Sequence, residues 1–242
     1  MTTVPKFGQW IVALAVIVSL LLFYTGYDKK TQALDFGKTI QVISFQDLSF
    51  SLKELNKVAA LAGIGLLAIT FLMGPLSRMF PKKFARFLVW RKFLGLFGFG
   101  LIALHVLYSV IFIYNLSLDQ MIFNNPKLEG ILAGVIAFVI FMLMALTSTQ
   151  KSVEKMGYAN WKKLQTTGYI ALFLSAIHFV ILETKPEIGL DVRPFGKLFL
   201  ALAIIALMVR IGLIFVQIQQ RTQFGEHVGE LKQDSLKNKK TN

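Results

Sequence analysis

The chain has no cysteine and only three histidines in 242 residues. Without cysteine there is no disulfide, no zinc–thiolate site, no iron–sulfur cluster and no haem attached through a C-x-x-C-H motif. Acidic residues are scarce as well, 13 Asp and Glu against 26 Lys and Arg, which leaves a net charge of +13. Nucleotide-binding fingerprints are missing. There is no Walker loop, and the run "GLFGFG" (Gly95, Gly98, Gly100) lies inside an apolar segment, where small residues serve close helix packing rather than phosphate binding. The chain therefore has no NAD(P)H site of its own. Charged residues make up only 16% of it.

What remains is apolar: 55% of residues are hydrophobic, and mean hydropathy is +0.61. The apolar residues fall in six blocks, roughly 8–26, 57–77, 93–116, 130–149, 164–183 and 195–218. Each has about the 17–25 residues that cross a hydrocarbon core of about 30 Å. In lipid the backbone must satisfy its own hydrogen bonds, so such segments are helices. The expected fold is all-α: one integral membrane domain over 1–242, a bundle of six transmembrane helices with a short solvated tail over 219–242. The first block lacks a small-x-small cleavage site and reads as a retained helix rather than a signal peptide. No soluble domain is expected on either side of the bundle. The segment "DLSFSLKELNK" (47–57) suits an interfacial helix, and Gly74 and Pro75 suit a kink or helix end.

The basic excess reads as topology, with the lipid bilayer and not nucleic acid as the partner. With the N-terminus in the cytoplasm, sixteen Lys and Arg fall on that side and nine on the other, with Arg210 inside the last span. Between the second and third spans there are six basic residues (Arg78, Lys82, Lys83, Arg86, Arg91, Lys92) and no acidic one. The positive-inside rule then puts both termini in the cytoplasm.

Two of the three histidines, His105 and His178, sit inside apolar blocks, and His227 lies in the polar tail. Ionisable groups in a span mark functional sites or pair with a neighbouring helix. His105 lies 14 residues beyond Arg91 and His178 lies 15 beyond Lys163, which is about 21–22 Å along each helix. Both helices run outward, so both imidazoles reach one level in the outer half of the bilayer. Two imidazoles at one depth can hold both axial positions of a b-type haem, or they can hydrogen-bond each other. Tyr108, Phe112, Tyr114 and Phe179 read as packing or interfacial-belt residues.

The segments "VWRKFLGLFGFGLIALHVLYSV" and "ALTSTQKSVEKMGYANWKKLQTTGYIALFLSAIHF" resemble the ferric-reductase-like transmembrane domain. The likeness is strongest to the haem-binding membrane subunit of bacterial periplasmic methionine-sulfoxide reductase systems. It rests on Arg91, Lys92, Leu94, Gly95 and Leu96, then Thr147-Ser148, Gly157 before Trp161, the Leu164–Tyr169 stretch and the two histidines. The resemblance implies a haem-binding core over 86–183 and a bacterial inner-membrane location. It further implies haem held between the third and fifth helices by His105 and His178, and electrons carried across the membrane. Related ferric reductases and NADPH oxidases carry a second histidine on each helix; here those positions read Arg91 and Gln165. Gln is a poor iron ligand and a charged Arg is none, so one b-type haem is expected rather than two. Animal metalloreductases with a single haem fill the inner half with a flavin. By that analogy Arg91, Gln165 and Arg210 are candidates for an inner flavin, quinone or haem-propionate site, unless Arg210 simply snorkels to the interface.

The expected function is a haem electron-transfer subunit of a membrane reductase system. It needs a separate donor, a cytoplasmic flavin reductase or quinol, and an acceptor on the outer side, and it can belong to a larger complex. The alternatives are a directly quinone-linked oxidoreductase and a haem-free anchor or assembly subunit.

Overall fold

The computed structural model describes residues 7–29 and 31–224 and the course of the last helix to Lys240. The remainder of the tail expected over 219–242, His227 included, lies outside the described residues. Among the described residues six helical segments are long and apolar enough to cross a membrane: Phe7–Tyr24, Leu48–Met79, Pro81–Ile113, Leu128–Leu146, Tyr158–Glu183 and Pro194–Phe224. The protein is an integral membrane six-helix bundle.

The first span is α1 (Phe7–Ser19), continued by a π-helical turn, Leu20–Tyr24. A short antiparallel hairpin of β1 (Tyr27–Asp28) and β2 (Ala33–Leu34) leads to α2 (Phe36–Ile43). The second span is α3 (Leu48–Met79). The third is built from α4 (Pro81–Phe84), a 3-10 segment over Ala85–Trp90, α5 (Arg91–Tyr108) and a π turn, Ser109–Ile113. The fourth is α6 (Leu128–Leu146), followed by the short α7 (Gln150–Met156). The fifth, α8 (Tyr158–Glu183), ends in a hairpin of β3 (Thr184–Lys185) and β4 (Gly189–Leu190). The sixth span opens α9 (Pro194–Lys240).

Helix α3 is the central post. In its most apolar window 61% of residues are buried inside the protein, against 6% for the third span. One core cluster joins Leu67, Ala68 and Phe71 of α3 to Ala137, Phe141 and Met144 of α6, Ala171 and Leu172 of α8, and Ala203 and Ala206 of α9. A second sets Leu66 and Met73 of α3 against Ala13 and Leu94. Lipid gives no hydrophobic drive between helices, so close packing must come from small residues. At the α3–α5 crossing a Cβ on Gly63 would lie 2.8 Å from the Gly98 carbonyl, and one on Gly98 would lie 2.9 Å from the Gly63 carbonyl. The close packing expected of the glycine-rich run is found at Gly98, whereas nothing lies within 4 Å of a Cβ built on Gly100. The closest pairings are α3 with α5 and α6 with α8, two helical hairpins each made from neighbouring sequence.

The segment 47–57 is not a separate interfacial helix. Asp47 caps α3 by accepting from the Phe50 N–H at 3.0 Å, and the helix runs unbroken from there. The polar residues of those first turns are buried against partners: Ser51 donates to the Gln41 carbonyl, and Glu54 takes Arg193 at 2.5 Å. Nor does α3 end at Gly74-Pro75, since it continues to Met79. Proline lacks the N–H that would bond the Phe71 carbonyl four residues back; Tyr169 of α8 donates its hydroxyl to that carbonyl at 2.9 Å. At the opposite end of the bundle Asp191 clips the two hairpins together through Lys185 and Lys29, each at 2.6 Å. Hydrogen bonds from Lys185 and then Lys29 hold its carboxyl down to about 2, so it stays charged well below neutral pH.

Candidate functional site

His105 projects from α5 and His178 from α8, and the structure brings them together. Their ring centroids are 6.4 Å apart and the ring planes cross at 76°. Each ring is oriented by a helix other than its own. The His178 Nδ1 donates to the Gly130 carbonyl of α6 at 2.8 Å. A carbonyl only accepts, so Nδ1 carries the proton and Nε2 keeps its lone pair. The His105 Nδ1 lies 3.1 Å from the Asn56 Oδ1 of α3. Asn56 in turn donates through Nδ2 to the Ser109 Oγ at 3.2 Å, and that hydroxyl donates to the His105 carbonyl at 2.8 Å. The closed ring of bonds puts the His105 proton on Nδ1 too. Two imidazoles with Nδ1 engaged and Nε2 bare can serve as metal ligands.

Glycine makes room for one of them. A Cβ on Gly134 of α6 would lie 2.5 Å from the His178 Nδ1 and 2.9 Å from its Cε1. Next to the site Lys127, the residue that precedes α6, holds the end of α8, its Nζ donating to the carbonyls of Leu182 and Thr184 at 2.6 and 2.9 Å.

The arrangement is wrong for a directly hydrogen-bonded histidine pair, since each Nδ1 is bonded elsewhere and such a pair would close to about 5 Å between centroids. It fits a haem. Two imidazoles on opposite faces of one iron, with Fe–N bonds of about 2 Å, hold their centroids about 6 Å apart. Among the described residues no three or more His, Cys, Asp or Glu side chains gather as a metal cluster. The donor set is thus two imidazoles, which suits a haem and is too small for a closed structural metal site.

Arg91 and Gln165 lie at the other end of α5 and α8, about 20 Å from the histidines along those helices, and Arg210 joins them from α9. A haem propionate does not span that distance. The three line one cavity of about 190 Å³ together with Arg78, Lys162 and Tyr169. Gln165 is already committed, donating to the Met144 carbonyl at 3.2 Å. The Arg210 guanidinium lies 5.3 Å from the centre of the Tyr169 ring, and its Nε is buried without a hydrogen-bond partner. The cavity is smaller than the roughly 300–1,000 Å³ that encloses a drug-sized ligand, so a whole flavin does not fit within it. Sequence reasoning treated Arg78 and Lys162 only as topology charges. It also missed Asn56 and Gly134. For Gly134 a signal was present, since Gly130 and Gly134 form a G-x-x-x-G on α6 facing α8.

Residues 59–176 match the family described as Ferric reductase like transmembrane component. Over 143 residues the chain is 30% identical to the protein-methionine-sulfoxide reductase heme-binding subunit MsrQ of Caulobacter vibrioides, covering 58% of this chain and 65% of that protein. Over 92 residues it is 36% identical to the magnetosome protein MamZ of Magnetospirillum gryphiswaldense and 34% identical to that of Paramagnetospirillum magneticum. Both of those matches cover 38% of this chain and 14% of the relative. The chain thus spans less than two thirds of the length of each of these relatives.

Proposed function

From a chain whose residues 59–176 match the ferric-reductase-like transmembrane component family, we infer a membrane subunit that carries electrons on one b-type haem held by His105 and His178. The observation that carries the reading is the pair of imidazoles 6.4 Å apart, each with its Nδ1 bonded to a neighbouring helix. A bound haem supplies a one-electron centre inside the hydrocarbon. The chain's own part is positional. α5 and α8 set the two nitrogens at one depth, Asn56 and the Gly130 carbonyl fix their tautomers, and Gly134 admits the second ring. The haem-binding core expected over 86–183 therefore draws on α3 through Asn56, which lies outside it.

The basic residues of the α3–α5 connection support a cytoplasmic placement of that end and of both termini in a bacterial inner membrane. The histidines then lie in the outer half, closer to an outer-side acceptor. Electrons come from a separate donor, a cytoplasmic flavin reductase or quinol, and the MsrQ relative supports assembly with a reductase partner.

An optical spectrum of the purified protein, oxidised and dithionite-reduced, tests the reading. The expected result is a low-spin b-type spectrum with about one haem per chain. Protein free of haem after expression in a haem-replete host overturns it in favour of an anchor subunit. A finer measurement follows from the orientation of His105: Asn56→Leu leaves both ligands in place but removes the Nδ1 acceptor. Loss of such a partner costs about 10–100-fold in metal-site affinity, so haem titration should show weakened binding of that order, with the low-spin spectrum kept at saturation.

A further inference from the structure

The cavity lined by Arg91, Gln165 and Arg210 has an electrostatic character of its own. Arg78, Arg91, Lys162 and Arg210 all line it, and among the described residues none of the four forms an ion pair with a carboxylate. Four cations without a counter-charge at the end of a membrane bundle repel one another unless an anion sits among them. The buried, unpartnered Arg210 Nε is a donor still waiting for an acceptor.

The cavity does not stand alone. Lys162, Thr166, Tyr169 and Arg210 are shared with a groove of about 460 Å³ between α8 and α9, continued by Ile170, Leu207, Ile211 and Ile214. Ile170, Ile211 and Ile214 are exposed on the lipid-facing surface. The threonine hydroxyls of the groove are spent on their own helix, Thr166 on the Lys162 carbonyl and Thr167 on the Leu164 carbonyl. Beyond its basic end the groove therefore offers an apolar bed with no free hydroxyl. A flavin ring, polar along one edge, finds no partners there, and a neutral quinone head has no need of four cations.

We propose that the cavity and groove together bind one anionic phospholipid. Its headgroup phosphate lies among Arg78, Arg91, Lys162 and Arg210, and one acyl chain lies along Ile170, Leu207, Ile211 and Ile214. Basic pockets between transmembrane helices recognise anionic headgroups in this way, each Lys or Arg near the surface adding to the attraction. The site is separate from the imidazole pair and does not depend on haem.

Native mass spectrometry of the delipidated full-length protein tests this, with dioleoyl phosphatidylglycerol, dioleoyl phosphatidylcholine, inorganic phosphate and flavin mononucleotide as probes. The expected result is one retained phosphatidylglycerol per chain, at least about tenfold preferred over phosphatidylcholine. The double variant Arg91→Gln/Arg210→Gln should lose that preference, and Ile170→Trp, which fills the groove and leaves every charge in place, should weaken retention of the lipid. Size-exclusion profiles identify any variant that misfolds. Equal retention of the two lipids, or full retention by the double variant, overturns the proposal. Displacement of the lipid by inorganic phosphate alone, or by flavin mononucleotide, overturns it as well and assigns the cavity to a soluble phosphate or to a flavin. Haem content, read separately, decides the function proposed above, so the two failures are distinguishable.

Discussion

His105→Ala and His178→Ala are each expected to remove the low-spin haem spectrum, with bound haem falling at least about tenfold or the residual iron converting to a high-spin form. Each substitution deletes one of the two proposed ligand nitrogens and leaves the orienting bond of the other in place, Asn56 on His105 or the Gly130 carbonyl on His178. Because the deleted side chain leaves an imidazole-sized space, added imidazole should restore low-spin absorption in part. His227→Ala should change nothing. Pyridine haemochrome assay and absorption spectra read all three variants. Unaltered low-spin spectra in both intramembrane variants would show that the ligands are elsewhere.

Gly134→Val should produce nearly as large a loss while keeping both histidines. The added Cβ would meet the His178 Nδ1, Cε1 and Cγ at 2.5, 2.9 and 3.0 Å, the first two closer than real Cβ atoms come. The ring must move, and moving it breaks the 2.8 Å bond to the Gly130 carbonyl. A displaced ligand costs haem at least about tenfold in occupancy, as a lost orienting partner does. Gly134→Ala should fall between the wild type and valine. Gly100→Ala is the control, because nothing lies within 4 Å of a Cβ built there; the haem-to-protein absorbance ratio should be unchanged. A full haem complement in Gly134→Val would mean that the His178 ring is not held where the structure has it.

Much of this molecule can be read from its apolar blocks, and the failures have a common cause. Hydropathy marks where a chain crosses hydrocarbon, not where a helix ends. The second span reads as 57–77, yet α3 begins at Leu48, because its first turns carry Ser51, Glu54 and Asn56 into contacts with other parts of the chain. The basic segment before the third span is likewise helical from Pro81. That the two histidines meet at one level followed from counting residues from the charged helix starts, since a helix converts sequence distance directly into height. Asn56 had no such handle. Its role depends on how α3 is rotated against α5, which small residues such as Gly63 and Gly98 set and which no periodicity in either helix announces. Arg78 and Lys162 escaped for a similar reason: each looked like an ordinary interfacial charge until four helices placed them around one cavity.

The absence of cysteine acquires a second meaning once the two hairpins are in view. α3 with α5 and α6 with α8 each close over a short connection, so each half can form early and at little entropic cost. The histidines come from different halves and lie far apart in the chain. An iron bridging them would tie a long loop shut, as a disulfide does in secreted domains. A chain with no thiols has no disulfide to do this, so an acquired cofactor would add a cross-link to the side-chain packing that already joins the two halves.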